Sequence, residues 1–272
     1  MRRLLQSWLL SLYRLVFARG LLRFGWGRRM FFALYDFYKT WLEAGEIDGL
    51  RRWVPSGGVV IDVGANVGFF TLRFADWVGA KGWVVAIEPE ARNHAELLRR
   101  LARRDFAERV VLHRAVADRV AGEVMLEVNP DHPGDHKIGS AGIAIPALTV
   151  DDLRAATGRP VALIKIDVQG AEMRVLEGAT TVLACDRPAL FVEVDAGALS
   201  RFGTSTAELF SFLEGFGYLP HRLTHQGPEP MAIRLIEELI ERDAYTDILF
   251  LAGSSMVERT AAGEADCHVR TS

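Results

Sequence analysis

The stretch Val59-Val60-Ile61-Asp62-Val63-Gly64-Ala65-Asn66-Val67-Gly68-Phe69-Phe70-Thr71, followed by Trp83-Val84-Val85-Ala86-Ile87-Glu88-Pro89, decides the fold. It reads as a buried strand, a glycine turn, a helix and a second strand that ends in a carboxylate. Such a unit places a ligand at the turn, beyond the carboxyl end of the strands.

Outward from this unit the pattern alternates. A helix over 67–78 and a turn at 79–82 lead to the strand 83–87. A helix over 91–104 and strands over 109–113 and 122–128 follow. Residues 129–147 are rich in proline and glycine and read as a long polar loop. Asp151 opens a short helix, and further strands fall at 161–166, 189–194 and 247–251. Helices are expected over 170–183, 204–216 and 231–242. Strands alternating with helices predict an α/β protein with a Rossmann-like, doubly wound sheet. The sheet is expected to be mostly parallel, with an antiparallel C-terminal strand. Two helices, 4–18 and 29–44, precede it. The expected organisation is a helical extension over 1–54, a Rossmann-like domain over 55–252 and a disordered tail over 253–272.

The length of 272 residues suffices for a sizeable core, and a net charge of -3 gives no global attraction to nucleic acid. Cys185 and Cys267 form no metal-ligand pair, and as plain thiols they suit a reducing cytoplasm. Residues 1–30 are basic and apolar without an acid. Arg14 interrupts the apolar run before the roughly 20 residues that a membrane span needs. This segment reads as an amphipathic helix packed on the domain, and peripheral contact with an anionic membrane stays open.

The glycine turn carries the first chemical information. A dinucleotide fold wants G-x-G-x-x-G so that a pyrophosphate can reach the helix N-terminus. Here Gly64 and Gly68 are four apart, Ala65 and Asn66 fill the gap, and Asp62 stands two residues before the first glycine. A carboxylate there repels a pyrophosphate and suits an ammonium, such as that of S-adenosylmethionine. Glu88, with Pro89 behind it, ends the second strand, where a carboxylate accepts both hydroxyls of a ribose. Asp118 follows the third strand and is expected near an adenine amine. Ala65, Gly68 and, in the first turn of the expected helix, Phe69 and Phe70 are also expected at the cofactor.

In Lys165-Ile166-Asp167-Val168-Gln169-Gly170-Ala171-Glu172, Asp167 sits at a strand end beside the expected sulfonium. Asp167 and Glu172 are candidates to orient a substrate hydroxyl, to act as base or to ligate a divalent cation. Helix capping is the competing role for Asp167. Glu193 and Asp195 end the fifth strand at the same edge and are candidates to complete an acidic pocket. Asn129, Asp131, His132, Asp135, His136 and Lys137 fill the long loop, and His136 is the preferred general base among them. A solvated loop is the competing reading.

At these residues the chain resembles the FkbM family of S-adenosylmethionine-dependent methyltransferases. Its members carry a D-V-G-A-N-x-G-x-x-[ST] block, an acidic residue followed by proline, and a K-I-D-x-[EQ]-G-A-E block. Asp62 to Thr71, Glu88-Pro89 and Lys165 to Glu172 stand in that order, and Thr149 to Leu153 is similar to the family's segment before the fourth strand. The resemblance covers roughly residues 45–220. It implies a Rossmann-like methyltransferase fold and O-methylation of a small molecule, such as a sugar or secondary metabolite. Gln169 departs from the glutamate that many members carry.

The leading expectation is therefore an S-adenosylmethionine-dependent O-methyltransferase acting on a small hydroxyl-bearing acceptor, cytoplasmic and open to oligomerisation. A nucleotide-dependent oxidoreductase is the alternative, weakened by the missing glycine spacing and by Asp62. A cofactor-binding module without turnover is the other. Nucleic-acid methylation is not expected, since a proline-rich amino-methyltransferase step, a Pro-Cys nucleophile and a basic stripe are all missing from the core.

Overall fold

A computed structural model describes residues 47–127, 137–139, 142–243 and 245–253. The chain divides into two compact units, Met1–Gly49 and Leu50–Ser272. Most of the first unit lies outside the described residues, as do His132, His136 and nearly all of the C-terminal tail. Among the described residues no cysteine is a free thiol, which corrects the reading of Cys185.

The second unit is built on an eight-stranded sheet. Its strands, in chain order, include β1 (Val59–Val63), β2 (Trp83–Ile87), β3 (Val110–His113), β8 (Val161–Ile166) and β9 (Ala189–Asp195). They are completed by β10 (Tyr218–Thr224), β11 (Gly227–Pro230) and β12 (Tyr245–Ala252). The spatial order is β11-β10-β12-β9-β8-β1-β2-β3. β1 pairs in parallel with both β2 and β8, so the order reverses at β1. A ligand crevice is expected at such a reversal, outside the carboxyl ends of the strands. β12 enters antiparallel between β9 and β10, as the expected C-terminal strand does.

Every residue of β1 is buried, which explains its unbroken apolar character. Helices cover the sheet: α1 (Phe69–Trp77), α2 (Ala91–Arg103), α3 (Val150–Thr157), α4 (Glu172–Glu177), α5 (Thr180–Cys185), α6 (Ala196–Arg201), α7 (Thr206–Gly215) and α8 (Ile233–Asp243). The main core packs Val59, Ile61 and Val63 of β1 with Ile164 and Ile166 of β8 and with Val175 and Leu176 of α4. Alternation along β1 sends Asp62 to the opposite face.

Side-chain caps start two of these helices. Thr149 caps α3 by accepting from the Asp152 N–H at 3.0 Å. Ser205 and Glu208 form a reciprocal capping box at the start of α7.

Residues 129–147 are not simply a loop. A second, four-stranded sheet, ordered β4-β7-β5-β6, is formed by β4 (Val116–Ala117), β5 (Gly122–Glu127), β6 (Lys137–Gly139) and β7 (Ile143–Leu148). Its small core joins Val116, Leu126, Ile145 and Ala147. The turn-forming residues hide the alternation of Ile145 and Ala147, and that alternation is what the pairing with β5 buries. The expected helix 170–183 is two short helices, α4 and α5, separated at Gly178 and Ala179. The Cβ that an alanine would place at 178 lies 2.2 Å from the carbonyl oxygen of Asp118.

Candidate active site

The turn after β1 is shaped by close backbone approaches. The N–H groups of Gly64 and Ala65 donate to the carbonyl of Ile87 at 3.1 and 3.0 Å. Gly64 has φ +75°, and a Cβ there would fall 1.9 Å from the carbonyl oxygen of Asp167. Glycine is required because the ends of β1 and β8 nearly touch. Gly68 has φ +91°, and its Cβ would meet Leu97 Cδ1 at 2.3 Å. Its missing side chain admits α2.

Beyond the turn lies a cleft with about 750 Å³ of open space. Glu88 and Pro89 line one end, and Asp167, Val168 and Gln169 the other. Val63, Ile87, Ala115, Val116 and Leu126 give it an apolar wall. Leu126 comes from the second sheet, so that sheet forms one side of the cleft.

Glu88 is buried, yet both of its oxygens are met by donors. The Asn66 N–H reaches Oε2 at 2.8 Å and the Glu90 N–H reaches Oε1 at 2.9 Å. Asn66 takes a positive φ of 50° in making this contact. Asn93 Nδ2 lies 3.4 Å from Oε1. Burial pushes the Glu88 carboxyl up to about 7, against the pull of these three donors.

The other end is built from charges. Lys165 is buried, and its Nζ donates to the carbonyl of Gly64 at 2.9 Å. The same atom stands 3.6 Å from Asp62 Oδ1 and 3.4 Å from Asp167 Oδ2. Burial alone would lower the Lys165 pKa, but Asp167, Asp62 and Glu193 together hold it above its ordinary value. Asp62 also accepts from Thr71 Oγ1 at 2.6 Å. Burial raises the Asp62 carboxyl, with Lys165 and Thr71 opposing.

Of the residues expected at the cofactor, Gly64, Asn66, Glu88, Pro89 and Asp167 line the cleft. Asp62 does not, because the strand alternation turns it toward Lys165 and Thr71 on the other face. Ala65, Phe69 and Phe70 stand back from the cleft as well. Ala65 and Phe69 are buried, and the Phe70 ring packs against Phe74 and Phe191. Gly68 serves the helix contact. Asp118 is buried and ion-paired with Arg174 of α4, so it is not brought to the cleft. Ala115, Val116 and Ala117 line the place where its adenine role was expected.

Glu172 folds back onto the turn before α4. Its Oε1 accepts from the Gly170 N–H at 2.9 Å and lies 3.4 Å from the Val168 N–H. Burial raises its carboxyl to about 6, and these amides resist the shift. Asp195 caps α6, accepting from the Ala198 N–H at 2.8 Å. His136 lies outside the described residues. Among the described residues no group of three or more His, Cys, Asp or Glu is arranged to hold a metal ion.

The sequence reading missed Asn93, Leu126 and Phe202 as cleft residues. Asn93 carries a usable signal, since its position three residues after the α2 cap Glu90 and five after Glu88 aims it back at the strand end. Leu126 and Phe202 carry none, because tertiary folding alone delivers them.

The family model described as the methyltransferase FkbM domain matches residues 62–220. Among solved structures, the chain is similar to the methyltransferase FkbM from Methylobacillus flagellatus. That match has 22% identity and a TM-score of 0.47, and it covers 71% of this chain and 43% of that one. The chain thus spans less than half the length of that protein. It is also similar to a SAM-dependent O-methyltransferase from Thermotoga maritima (12% identity, 78% of this chain, 66% of that chain, TM-score 0.44). A SAM-dependent methyltransferase from Aquifex aeolicus gives 17% identity, 65% of this chain, 81% of that chain and a TM-score of 0.39. No curated protein matches. The oxidoreductase alternative is set aside by the family match, which covers more than half of the residues: the chain belongs to the FkbM family of methyltransferases.

Proposed function

We propose that this protein transfers a methyl group from S-adenosylmethionine to a hydroxyl of a small molecule. The observation that carries the reading is the placement of two carboxylates, Glu88 and Asp167, at opposite ends of one apolar-walled cleft. The donor set fits the cofactor part by part. A ribose diol donates to a carboxylate held by backbone amides, as Glu88 is. An adenine ring suits the wall of Ala115, Val116 and Leu126. A cationic methionine end suits Asp167, whose side chain is 35% exposed and so can meet a ligand.

The bound cofactor supplies an electrophilic methyl group. The chain supplies orientation and exclusion of water, which account for most of the catalysis in an in-line displacement. Asp167 is the described group best placed to orient an acceptor hydroxyl and take its proton. His136 is retained as a candidate base. The acceptor is proposed to be a small molecule rather than nucleic acid, in keeping with the net charge of -3. Among the described residues no helix is long and apolar enough to cross a membrane. Cytoplasmic residence, self-association and peripheral membrane contact through residues 1–30 belong to the same proposal.

Calorimetric titration with S-adenosylhomocysteine tests the cofactor reading. Binding by the native protein that disappears in Glu88→Ala is expected, and binding of unchanged strength in that variant would overturn the assignment. Acceptor class is tested by incubating labelled S-adenosylmethionine with panels of sugars, phenols and amines, with label expected on a hydroxyl oxygen.

A further inference from the structure

Phe202 is a large apolar side chain that stands outside both cores described above. It is half-buried and lines the cleft, and among the described lining residues it is the only aromatic one. The two phenylalanines of the glycine-turn motif are already engaged by the protein's own cations. Arg73 lies over the Phe69 ring, 3.9 Å from its centroid, and Lys165 Nζ lies 5.3 Å from the centroid of Phe70. Among the described residues no cation and no second ring lies against Phe202.

The ring is held from two sides. Asp195 ends β9 and caps α6, and the Phe202 N–H closes that helix by donating to the carbonyl of Leu199 at 2.9 Å. On the other side stands Gly170, in the turn after β8. Gly170 has φ +110°, and a Cβ there would fall 2.4 Å from the carbonyl oxygen of Ala198 and 2.9 Å from Phe202 Cδ2. A side chain at 170 would therefore displace the ring. The same turn carries Asp167, Val168 and Gln169, which line the cleft with Phe202. Gln169 holds a positive φ of 58°, so this turn contains a strained non-glycine residue as well.

The surroundings of this turn are rich in acid. Glu193 and Asp247 are partners across β9 and β12, and Asp167 follows the pair Ile166 and Val192 across β8 and β9. Lys165 stands among these acids, 3.4 Å from Asp167 Oδ2. Gln169 Nε2 lies 3.4 Å from Asp167 Oδ1 and 3.4 Å from Glu193 Oε2. A ring face and nearby carboxylates favour the same kind of ligand group, a cation.

We propose that Phe202 is a cofactor-binding residue whose ring meets the sulfonium of S-adenosylmethionine, so that the charged cofactor binds better than S-adenosylhomocysteine. The assignment rests on the cofactor reading above, which puts the cationic end of the ligand at Asp167. The face of an aromatic ring is negative and attracts a cation. In the transfer the acceptor oxygen bonds to the methyl carbon, the carbon–sulfur bond breaks with its electron pair left on sulfur, and the hydroxyl proton passes to the base. The sulfur ends neutral, so the ring loses its attraction for the spent cofactor and exchange is favoured.

Calorimetric titration with S-adenosylmethionine and with S-adenosylhomocysteine tests this without turnover. Phe202→Leu keeps an apolar side chain and removes the ring. It is expected to weaken S-adenosylmethionine binding about tenfold and S-adenosylhomocysteine binding less than about twofold. Phe202→Tyr keeps the ring and is expected to keep the native ratio of the two affinities. Equal weakening of both ligands, or no weakening of either, would overturn the sulfonium contact. The first result makes Phe202 a plain apolar wall, and the second puts it out of reach. Fluorinated phenylalanines at 202 give a second measurement in which the fold is hardly disturbed, since they remove negative charge from the ring face at nearly constant size. S-adenosylmethionine affinity is expected to fall stepwise with fluorination while S-adenosylhomocysteine affinity stays level, and a level response for both would also sink the contact. A native protein that binds neither ligand brings down the cofactor reading and the role of Phe202 with it. Native binding of both ligands, with an unchanged ratio in Phe202→Leu, removes the role of Phe202 alone.

Discussion

The two ends of the cleft hold a carboxylate in opposite ways. At the β2 end, Glu88 is buried among neutral donors, and backbone N–H groups of Asn66 and Glu90 meet its two oxygens. At the β8 end, Asp167 is held by another charge, Lys165, and lies in a row of further acids. Amide dipoles are fixed by the fold and stay in place at any pH. A charge network depends on the ionisation of every member. The first end is thus preorganised by backbone, and the second is poised by electrostatics.

The largest expected effect comes from removing the cation of the second end. Lys165→Met leaves Asp62 and Asp167 buried or half-buried without their lysine, and is expected to cost about 3–5 kcal/mol of stability, read by urea unfolding. A loss below about 1 kcal/mol would show that the two acids neutralise themselves by binding protons. Next comes Glu88→Ala at the first end. Its folding cost should be smaller, but S-adenosylhomocysteine affinity should fall about 100-fold, since the proposed charged acceptor of the ribose hydroxyls is lost.

The pH response should also separate the ends. The folded-state value of Glu88, about 7, lies above its unfolded value, so the folded protein binds the extra proton. Its contribution to stability is therefore full at low pH and is lost as pH rises toward about 7. Cofactor affinity should move the other way under the proposed ribose contact, since protonation removes the negative charge and turns one acceptor oxygen into a donor. Melting curves and calorimetry at about pH 6 and about pH 8 check the crossing, and Glu88→Gln should flatten both slopes. The smallest effect is expected at Asp118. Asp118→Asn weakens its pair with Arg174 and should cost about 1–2 kcal/mol of stability, while S-adenosylhomocysteine affinity stays unchanged. A clear affinity loss would return Asp118 to the cleft.

Much of the first end was legible in the sequence. β1, its turn and β2 are consecutive, and Glu88 is met by residues of that same unit. Asn93 could have been found from the helix-cap spacing. Asp62 was read correctly as a strand-end acid, but the alternation along β1 turns it away from the crevice. The second sheet stayed hidden because proline and glycine dominate its connections, and its small core appears only when β5 and β7 pair. β10 and β11 were missed because Pro220, Pro228 and Pro230 obscure a strand pattern that antiparallel pairing accommodates.

The sequence by itself determined the β1–α1–β2 unit with its glycine turn, the strands β3, β8, β9 and β12, and the acid that follows β2. Hydrophobic periodicity and turn chemistry act over a few residues, so a linear reading captures them. Only the tertiary structure decided that Asp167, Glu193 and Asp247 stand abreast, with Lys165 held between Asp62 and Asp167. These residues are distant in the chain, and the antiparallel entry of β12 brings the last of them into register. The energy of a charge depends on its distance from other charges and on its burial, and both are set by strand register.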